Sequence, residues 1–117
     1  FVGKPEIARG NRSFENYYIN GRYVKNNIIT TKKMFIGTLN KSLVHPREIF
    51  KDAYLNSAAK IVCVHNHPSG DVTPSKEDIY ITRNISEIGR IHDIILVDHL
   101  IIGGNIYFSF CENHYLK

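Results

Sequence analysis

Two histidines and an aspartate have the residue types and the spacing of a metal site. His65 and His67 lie two residues apart at the end of the apolar run Ile61-Val62-Cys63-Val64. Since residues i and i+2 of a strand project to the same face, both imidazoles can reach one ion. Asp78 falls in the first turn of a predicted helix, where the helix dipole favours a carboxylate. Three such ligands leave a fourth tetrahedral position open for water, the arrangement of catalytic zinc sites.

The same aspartate also fits a purely structural role. Ser75-Lys76-Glu77-Asp78 has the S-x-x-D spacing close to that of a capping box, in which the serine caps the helix and the acid satisfies its first amides. From spacing alone, a metal site and a helix cap with two ordinary polar histidines both remain open.

Hydrophobic periodicity and turn residues predict a single α/β domain over residues 1–117. Asn20-Gly21 is typical of a two-residue hairpin turn, and Pro46 and Ser75 are typical of helix starts. The predicted architecture is a mixed β-sheet with flanking helices. Its elements are strands at 14–19, 22–29 and 33–39, a helix from 46, a strand at 61–64, a helix at 75–89, and strands at 94–97, 100–102 and 106–110.

Composition narrows the class of protein. The chain has 117 residues, 43% of them apolar and 22% charged, which suits one globular domain. No apolar run reaches the roughly 20 residues of a membrane span. Two cysteines are too few for a disulfide framework, so we expect reduced thiols in a cytoplasmic protein. The chain opens on Phe1, so we expect a fragment or a processed piece.

Charge is unevenly distributed along the chain. Residues 1–60 hold eleven Lys or Arg against four Asp or Glu, whereas residues 61–117 hold four against seven. A basic half can attract DNA, although its cations are scattered in the sequence, as on a solvated face. We keep DNA contact through the N-terminal half as one hypothesis.

A family resemblance sharpens the metal hypothesis. The segment HNHPSGDVTPSKED resembles the signature of JAMM/MPN+ metalloproteases, which is H-x-H, seven residues, Ser, two residues and Asp. Together with FIGTLNKSLVHPREIF and ILVDHLIIGGNIYFSF, it makes residues from about 25 to 110 resemble the C-terminal domain of the RadC family. The resemblance implies a JAMM-like (cytidine-deaminase-like) fold, a Zn²⁺ site at His65, His67 and Asp78, and hydrolysis of a peptide or isopeptide-like amide.

The resemblance also implies two catalytic side chains. Ser75 matches the serine that helps stabilise the oxyanion in the wider family. Glu15 stands 22 residues before Gly37 of the GTLN motif, as does the glutamate that transfers protons in RadC proteins. Such a base must lie within hydrogen-bond reach of the reacting water. An exposed glutamate on a strand is the alternative for Glu15.

The N-terminal residues depart from the RadC pattern. Glu15 is followed by NYYINGRYV instead of an uninterrupted apolar run, and residues 1 to about 27 resemble a segment of MutL mismatch-repair ATPases. The chain therefore looks like a junction of two repair-protein pieces, and the MutL-like piece carries no ATP-binding motif. Besides the hydrolase, two further functions stay open: a DNA-repair-associated binding module and a non-catalytic MPN scaffold.

Two other positions have possible roles near the site. Asp98-His99 lies between two predicted strands, where a turn pair is favoured over a metal ligand and a supporting role behind the ligands stays open. Cys63 shares the predicted strand face of His65, so it is either a buried thiol or a thiolate ligand.

Overall fold

A computed structural model describes residues 13–20, 27–35 and 45–116, and over these residues the chain forms five strands and two helices. The strands are β1 (Ser13–Asn20), β2 (Asn27–Phe35), β3 (Lys60–Asn66), β4 (Ile95–Gly103) and β5 (Ile106–Ser109). The helices are α1 (Pro46–Leu55) and α2 (Lys76–His92). No helix in these three ranges is long and apolar enough to span a bilayer.

The strands form one mixed sheet in the order β2-β1-β3-β4-β5. Strand β3 pairs antiparallel with β1 and parallel with β4, and the parallel connection runs through α2, as such a crossover requires. This arrangement confirms the predicted α/β fold with a mixed sheet and flanking helices.

Both helices pack against the same face of the sheet, which we call the helix face. Its core combines residues of α1 and α2 with alternate residues of the strands: Ile49, Phe50, Ala53, Ile85, Phe14, Tyr18, Ile61, Cys63 and Leu96. The opposite face carries the intervening strand residues, with Ile19, Val62 and Val64 buried and Tyr17, Leu100 and Ile102 packed against them. Side-chain alternation along β1 and β3 therefore decides which residues can reach the helices.

The predicted N-terminal hairpin differs from the observed one. Asn20 pairs with Asn27, so six residues connect β1 to β2 and Asn20-Gly21 is not a two-residue turn. The residues 21–26 lie outside the described part of the chain. Over 27–35 the single strand β2 replaces parts of the two strands predicted at 22–29 and 33–39, and residues 36–39 lie outside the described part of the chain. Cross-strand pairing overrode the local turn signal.

The predicted break at Asp98-His99 is also wrong, because β4 continues through both residues. Two adjacent polar side chains are typical of a turn, but in this strand both side chains form hydrogen bonds within the fold. Asp98 accepts hydrogen bonds from Ser109 Oγ at 2.6 Å and from the Cys111 amide at 2.9 Å. Partners that distant in sequence leave no local signal.

Helix α2 begins as predicted and ends later. Ser75 is its N-cap, and it runs beyond Gly89 to His92, where Asp93 adopts a left-handed conformation with φ of 58°. Gly89 is needed for packing and not for the helix end, since a Cβ there would lie 2.1 Å from the carbonyl oxygen of Ile94. The glycine lets the start of the next connection lie directly against the helix.

Candidate metal centre

Three predicted ligands converge at the end of β3 nearest the start of α2. Asp78 Oδ1 lies 3.0 Å from His65 Nδ1, and Asp78 Oδ2 lies 3.1 Å from His67 Nε2. One ligand atom from each residue falls within 4.8 Å of the others. A side chain from a strand end, one from the following loop and one from a helix start thus surround a single point. The cluster could hold a metal ion.

Asp78 acts both as a capping residue and as a member of the cluster. Its Oδ2 accepts a hydrogen bond from the Ser75 amide at 2.9 Å, and its own amide donates to Ser75 Oγ at 3.0 Å. These two bonds form the predicted capping box. The two roles that spacing alone left open therefore coexist, and the cap fixes the direction in which the carboxylate points.

The charge of Asp78 is stabilised inside the cluster. The side chain is buried, and burial alone would raise its pKa. Contacts with His65 and His67 and the hydrogen bond from the Ser75 amide outweigh that effect and hold the pKa well below its usual range. Asp78 is consequently an anion at neutral pH, as a metal ligand must be.

His67 is oriented as a ligand by its second ring nitrogen. Its Nδ1 lies 2.9 Å from the carbonyl oxygen of Asp71, which can only accept, so Nδ1 carries the proton. Nε2 then faces Asp78 Oδ2 at 3.1 Å, a contact that requires a proton or a cation between the two atoms. Donation by one ring nitrogen to a backbone carbonyl is typical of metal-binding histidines.

The loop that carries His67 is anchored to the neighbouring strand. The His67 amide donates to the carbonyl of Ile102 at 2.9 Å, which extends the pairing of β3 with β4 by one residue. The Gly70 amide closes a turn onto the His67 carbonyl at 3.0 Å, with Gly70 at a φ of 88°. Asp71 Oδ1 accepts from the Thr73 amide at 3.0 Å. These bonds fix the loop independently of any ion.

His65 provides the test of whether these residues fit a metal. It is 3% exposed, and neither of its ring nitrogens makes a hydrogen bond to the described residues, although Nδ1 lies 3.0 Å from Asp78 Oδ1. Buried polar atoms of this kind call for an explanation such as an ion or a water molecule. A cation between the three side chains would supply the partner that His65 lacks, so the residues fit a divalent metal.

Ser75 and Glu15, the two predicted catalytic residues, are placed differently. Ser75 adjoins the cluster through its cap. Glu15 pairs with Val64 in an unbroken stretch of β1 and β3, and Val64 faces away from the helices. Directly paired residues share a face, so Glu15 lies on the opposite side of the sheet from His65. On that side Glu15 lies near Tyr17. Burial of Tyr17, followed by the charge of Glu15 and a hydrogen bond with it, raises the pKa of Tyr17 to about 12. The structure does not bring Glu15 to the metal cluster.

His99 and Thr82 lie buried behind the ligands. The sequence pattern left a supporting role open for His99 and indicated no site role for Thr82. Burial, followed by the nearby His65, lowers the pKa of His99 to about 3, so its imidazole is neutral at physiological pH. The family-like stretch ILVDHL was the only available signal. Cys63, the other open case, is a buried thiol that donates to Asn16 Oδ1 at 3.2 Å, and burial raises its pKa. That placement favours packing over a thiolate ligand.

Comparison with protein families identifies the family to which this chain is similar. The family profile of the RadC-like JAB domain matches residues 7–115, which confirms the predicted RadC resemblance. The match includes most of the segment that resembles MutL, and β1 from that segment is an integral strand of the sheet. The MutL resemblance itself stays a prediction.

Curated relatives cover most of this chain with high identity. It is 53% identical to a UPF0758 protein of Geobacillus thermodenitrificans over 103 residues, which is 88% of this chain and 44% of the relative. It is 46% identical to UPF0758 protein BH3032 of Halalkalibacterium halodurans over 116 residues, which is 99% of this chain and 49% of the relative. The chain thus spans less than half the length of these relatives. By profile, relatives and fold, it belongs to the RadC-like JAB domain family.

Proposed function

We propose that this domain is a zinc-dependent hydrolase that binds Zn²⁺ through His65, His67 and Asp78 and cleaves a peptide or isopeptide-like amide. The observation that carries the proposal is the convergence of two imidazoles and an ionised carboxylate on one point, with His67 oriented by a backbone carbonyl. Two histidines and a carboxylate form a three-ligand set typical of catalytic zinc, which keeps a further position open.

A zinc ion in this cluster would supply a Lewis acid that activates water for attack on the amide carbonyl. The net reaction breaks the C–N bond of the amide, adds the hydroxyl group of water to the carbonyl carbon and transfers the remaining hydrogen of water to the leaving amine. The protein has to orient the amide, stabilise the negative charge that develops on its oxygen and move one proton.

Ser75 is our candidate for stabilising that developing charge. Its Oγ accepts from the Asp78 amide, and among the described residues its hydroxyl hydrogen has no acceptor. A fixed hydroxyl beside the ligands can donate to the carbonyl oxygen of a substrate, and loss of one such donor typically costs about 100-fold or more in rate. Capping and catalysis are compatible because they use different parts of the hydroxyl.

Metal content is the first test of the proposal. We expect about one zinc per chain by elemental analysis of the purified domain, and none in His65→Ala/His67→Ala. His92→Ala is the matched control, because His92 is exposed on the last turn of α2 and its replacement should leave zinc content unchanged. No zinc in the wild-type chain after incubation with the metal would rule out the hydrolase.

Turnover is tested next, with fluorogenic peptides and a ubiquitin-type isopeptide as substrates. Ser75→Ala keeps the main-chain amide that donates to Asp78 Oδ2, so it should keep its zinc while losing turnover by about 100-fold. Ser75→Thr retains both the cap and the hydroxyl and should stay close to wild type. Equal activity of Ser75→Ala and wild type would remove Ser75 from the mechanism.

The placement of Glu15 supports a second candidate, a zinc-binding MPN scaffold without hydrolytic activity. Under this hypothesis zinc binds but no substrate is turned over, because Glu15, the predicted base, does not reach the site. DNA contact through the basic N-terminal half remains a separate proposal. It predicts an affinity for DNA that falls steeply with salt and survives His65→Ala.

A further inference from the structure

A buried chain of hydrogen bonds connects strand β4 to the main chain of Asp78. His99 is fully buried on β4, and its Nδ1 lies 2.6 Å from Thr82 Oγ1. Thr82 Oγ1 lies in turn 2.6 Å from the carbonyl oxygen of Asp78, one helical turn earlier on α2. The first turns of α2 are therefore joined to the more distant His99 of β4, directly behind the metal cluster.

The direction of these bonds follows from what each atom can do. The Asp78 carbonyl can only accept, and a threonine hydroxyl has a single hydrogen, so Thr82 donates to Asp78. His99 must then donate to Thr82 through Nδ1–H. The opposite assignment would put the histidine proton on Nε2, which is buried without a hydrogen-bond partner in the described residues. Orphaned buried N–H groups are rarer than orphaned acceptors.

The ring of His99 is held at a fixed angle by its neighbours. It stacks on Phe110 with ring centroids 4.8 Å apart and planes 6° apart, and it lies 5.4 Å from the ring of Phe14. The His99 ring is also nearly parallel to the ring of His65, with centroids 6.1 Å apart, and the centroids of the Phe14 and His65 rings are 5.8 Å apart. The same aromatic cluster therefore supports a metal ligand from one side and fixes Thr82 from the other.

We propose that His99 and Thr82 are positioning residues of the metal centre, with His99 held in the Nδ1–H tautomer so that Thr82 fastens the first turn of α2 to β4. Asp78 lies on that turn and its two carboxylate oxygens contact the two histidines, so its orientation depends on where the turn is held. Metal–ligand distances tolerate errors of only about 0.2 Å. The inference rests on the proposed zinc site and adds residues that do not touch the ion.

Four variants separate positioning from general stability. Thr82→Val removes the hydroxyl and keeps the shape, while Thr82→Ser retains the hydroxyl as the rescue. His99→Phe keeps an aromatic ring in the cluster and removes the donor. Ile85→Val is the matched control, because Ile85 is buried on α2 in the helix-face core and its apolar side chain takes no part in the hydrogen-bond chain.

Zinc affinity by chelator competition is the first readout. We expect Thr82→Val and His99→Phe to bind zinc about tenfold to 100-fold more weakly, as loss of outer contacts to ligands usually causes. Thr82→Ser and Ile85→Val should stay near the wild-type affinity, even where Ile85→Val lowers the melting temperature as much as Thr82→Val does. Unchanged affinity in both Thr82→Val and His99→Phe would overturn the inference.

The metal-free chain gives a second readout that does not depend on zinc. Nitrogen-15 NMR of the histidine rings should show the His99 proton on Nδ1, and hydrogen exchange of the Asp78 amide should accelerate in Thr82→Val and not in Ile85→Val. A proton on Nε2, or unchanged exchange at Asp78, refutes the positioning role. Failure of the wild-type chain to bind zinc would instead refute the proposed function, so the two failures are distinguishable.

Discussion

Replacing Gly103 with alanine should weaken metal binding although Gly103 contributes no ligand. Gly103 is the buried last residue of β4, and a Cβ there would lie 2.6 Å from the carbonyl oxygen of Gly70 and 2.7 Å from Val72 Cγ1. Its backbone lies outside the left-handed region, so the obstacle to a side chain among the described residues is this close approach. The loop from His67 to Val72, which carries one of the metal ligands, therefore packs directly against Gly103.

The size of the effect follows from these distances. Relieving contacts of 2.6 Å to the ordinary separation requires the backbone near Gly70 to move by about 1 Å. Gly70 closes a turn onto His67, and the adjacent Asp71 carbonyl holds the His67 ring, so the displacement reaches a ligand. A shift several times the tolerated error of about 0.2 Å should lower zinc affinity at least about tenfold. Overpacking should also cost about 1–3 kcal/mol of the free energy of unfolding.

Chelator competition measures the affinity, and chemical denaturation of the metal-free chain measures the stability. Gly104→Asn is the matched control on the next residue, because Gly104 has a φ of 62°, which asparagine tolerates, and no described residue lies within 4 Å of its Cβ position. We expect this control to bind zinc like wild type. Wild-type affinity in Gly103→Ala, or an equal loss in Gly104→Asn, would refute the idea that the loop rests on Gly103.

Three further predictions test the surroundings of the site. Glu15→Gln should leave zinc affinity and any peptidase rate unchanged, since Glu15 lies across the sheet; lost turnover with bound zinc would contradict the described register. When the folded chain is treated with a thiol reagent at rising pH, only Cys111 should react, because Cys63 is buried and burial raises the pKa of its thiol. Reaction of both thiols before the chain unfolds would disprove the burial of Cys63. Gly89→Ala should lower the free energy of unfolding by about 3 kcal/mol or more, because the Ile94 carbonyl oxygen lies 2.1 Å from the position of the new Cβ. Denaturant titration measures this loss, and a loss of less than about 0.5 kcal/mol would show that the helix end can shift.

The features that the sequence predicted correctly are local ones. His65 and His67 share a strand end, and Ser75 and Asp78 share one helical turn, so their geometry follows from spacing within a few residues. Features fixed by distant pairing were missed. The connection after Asn20 depends on which residue of β2 faces it, and no turn signal encodes that choice.

His99 illustrates a second kind of limit. A histidine beside an aspartate has the composition of a turn, and only the packed neighbours Phe110 and Thr82 turn it into a buried donor. Its role depends on α2 lying across β4, which is a property of the assembled fold. Periodicity can place a residue on a face, but it cannot tell which hydrogen bond the residue makes there.

The register of β1 decides whether Glu15 can serve this metal centre. A slip of one residue against β3 would bring Glu15 to the helix face, since it moves every side chain to the other side. The same slip would remove Tyr18 from the core, where its hydroxyl donates to the Ile49 carbonyl at 2.9 Å, and Phe14 from its contacts with His65 and His99. Losing the burial of two aromatic side chains costs several kcal/mol, roughly 1.5–3 each. The described register is therefore the stable one, and hydrolysis through Glu15 would require a rearrangement that dismantles the support of His65.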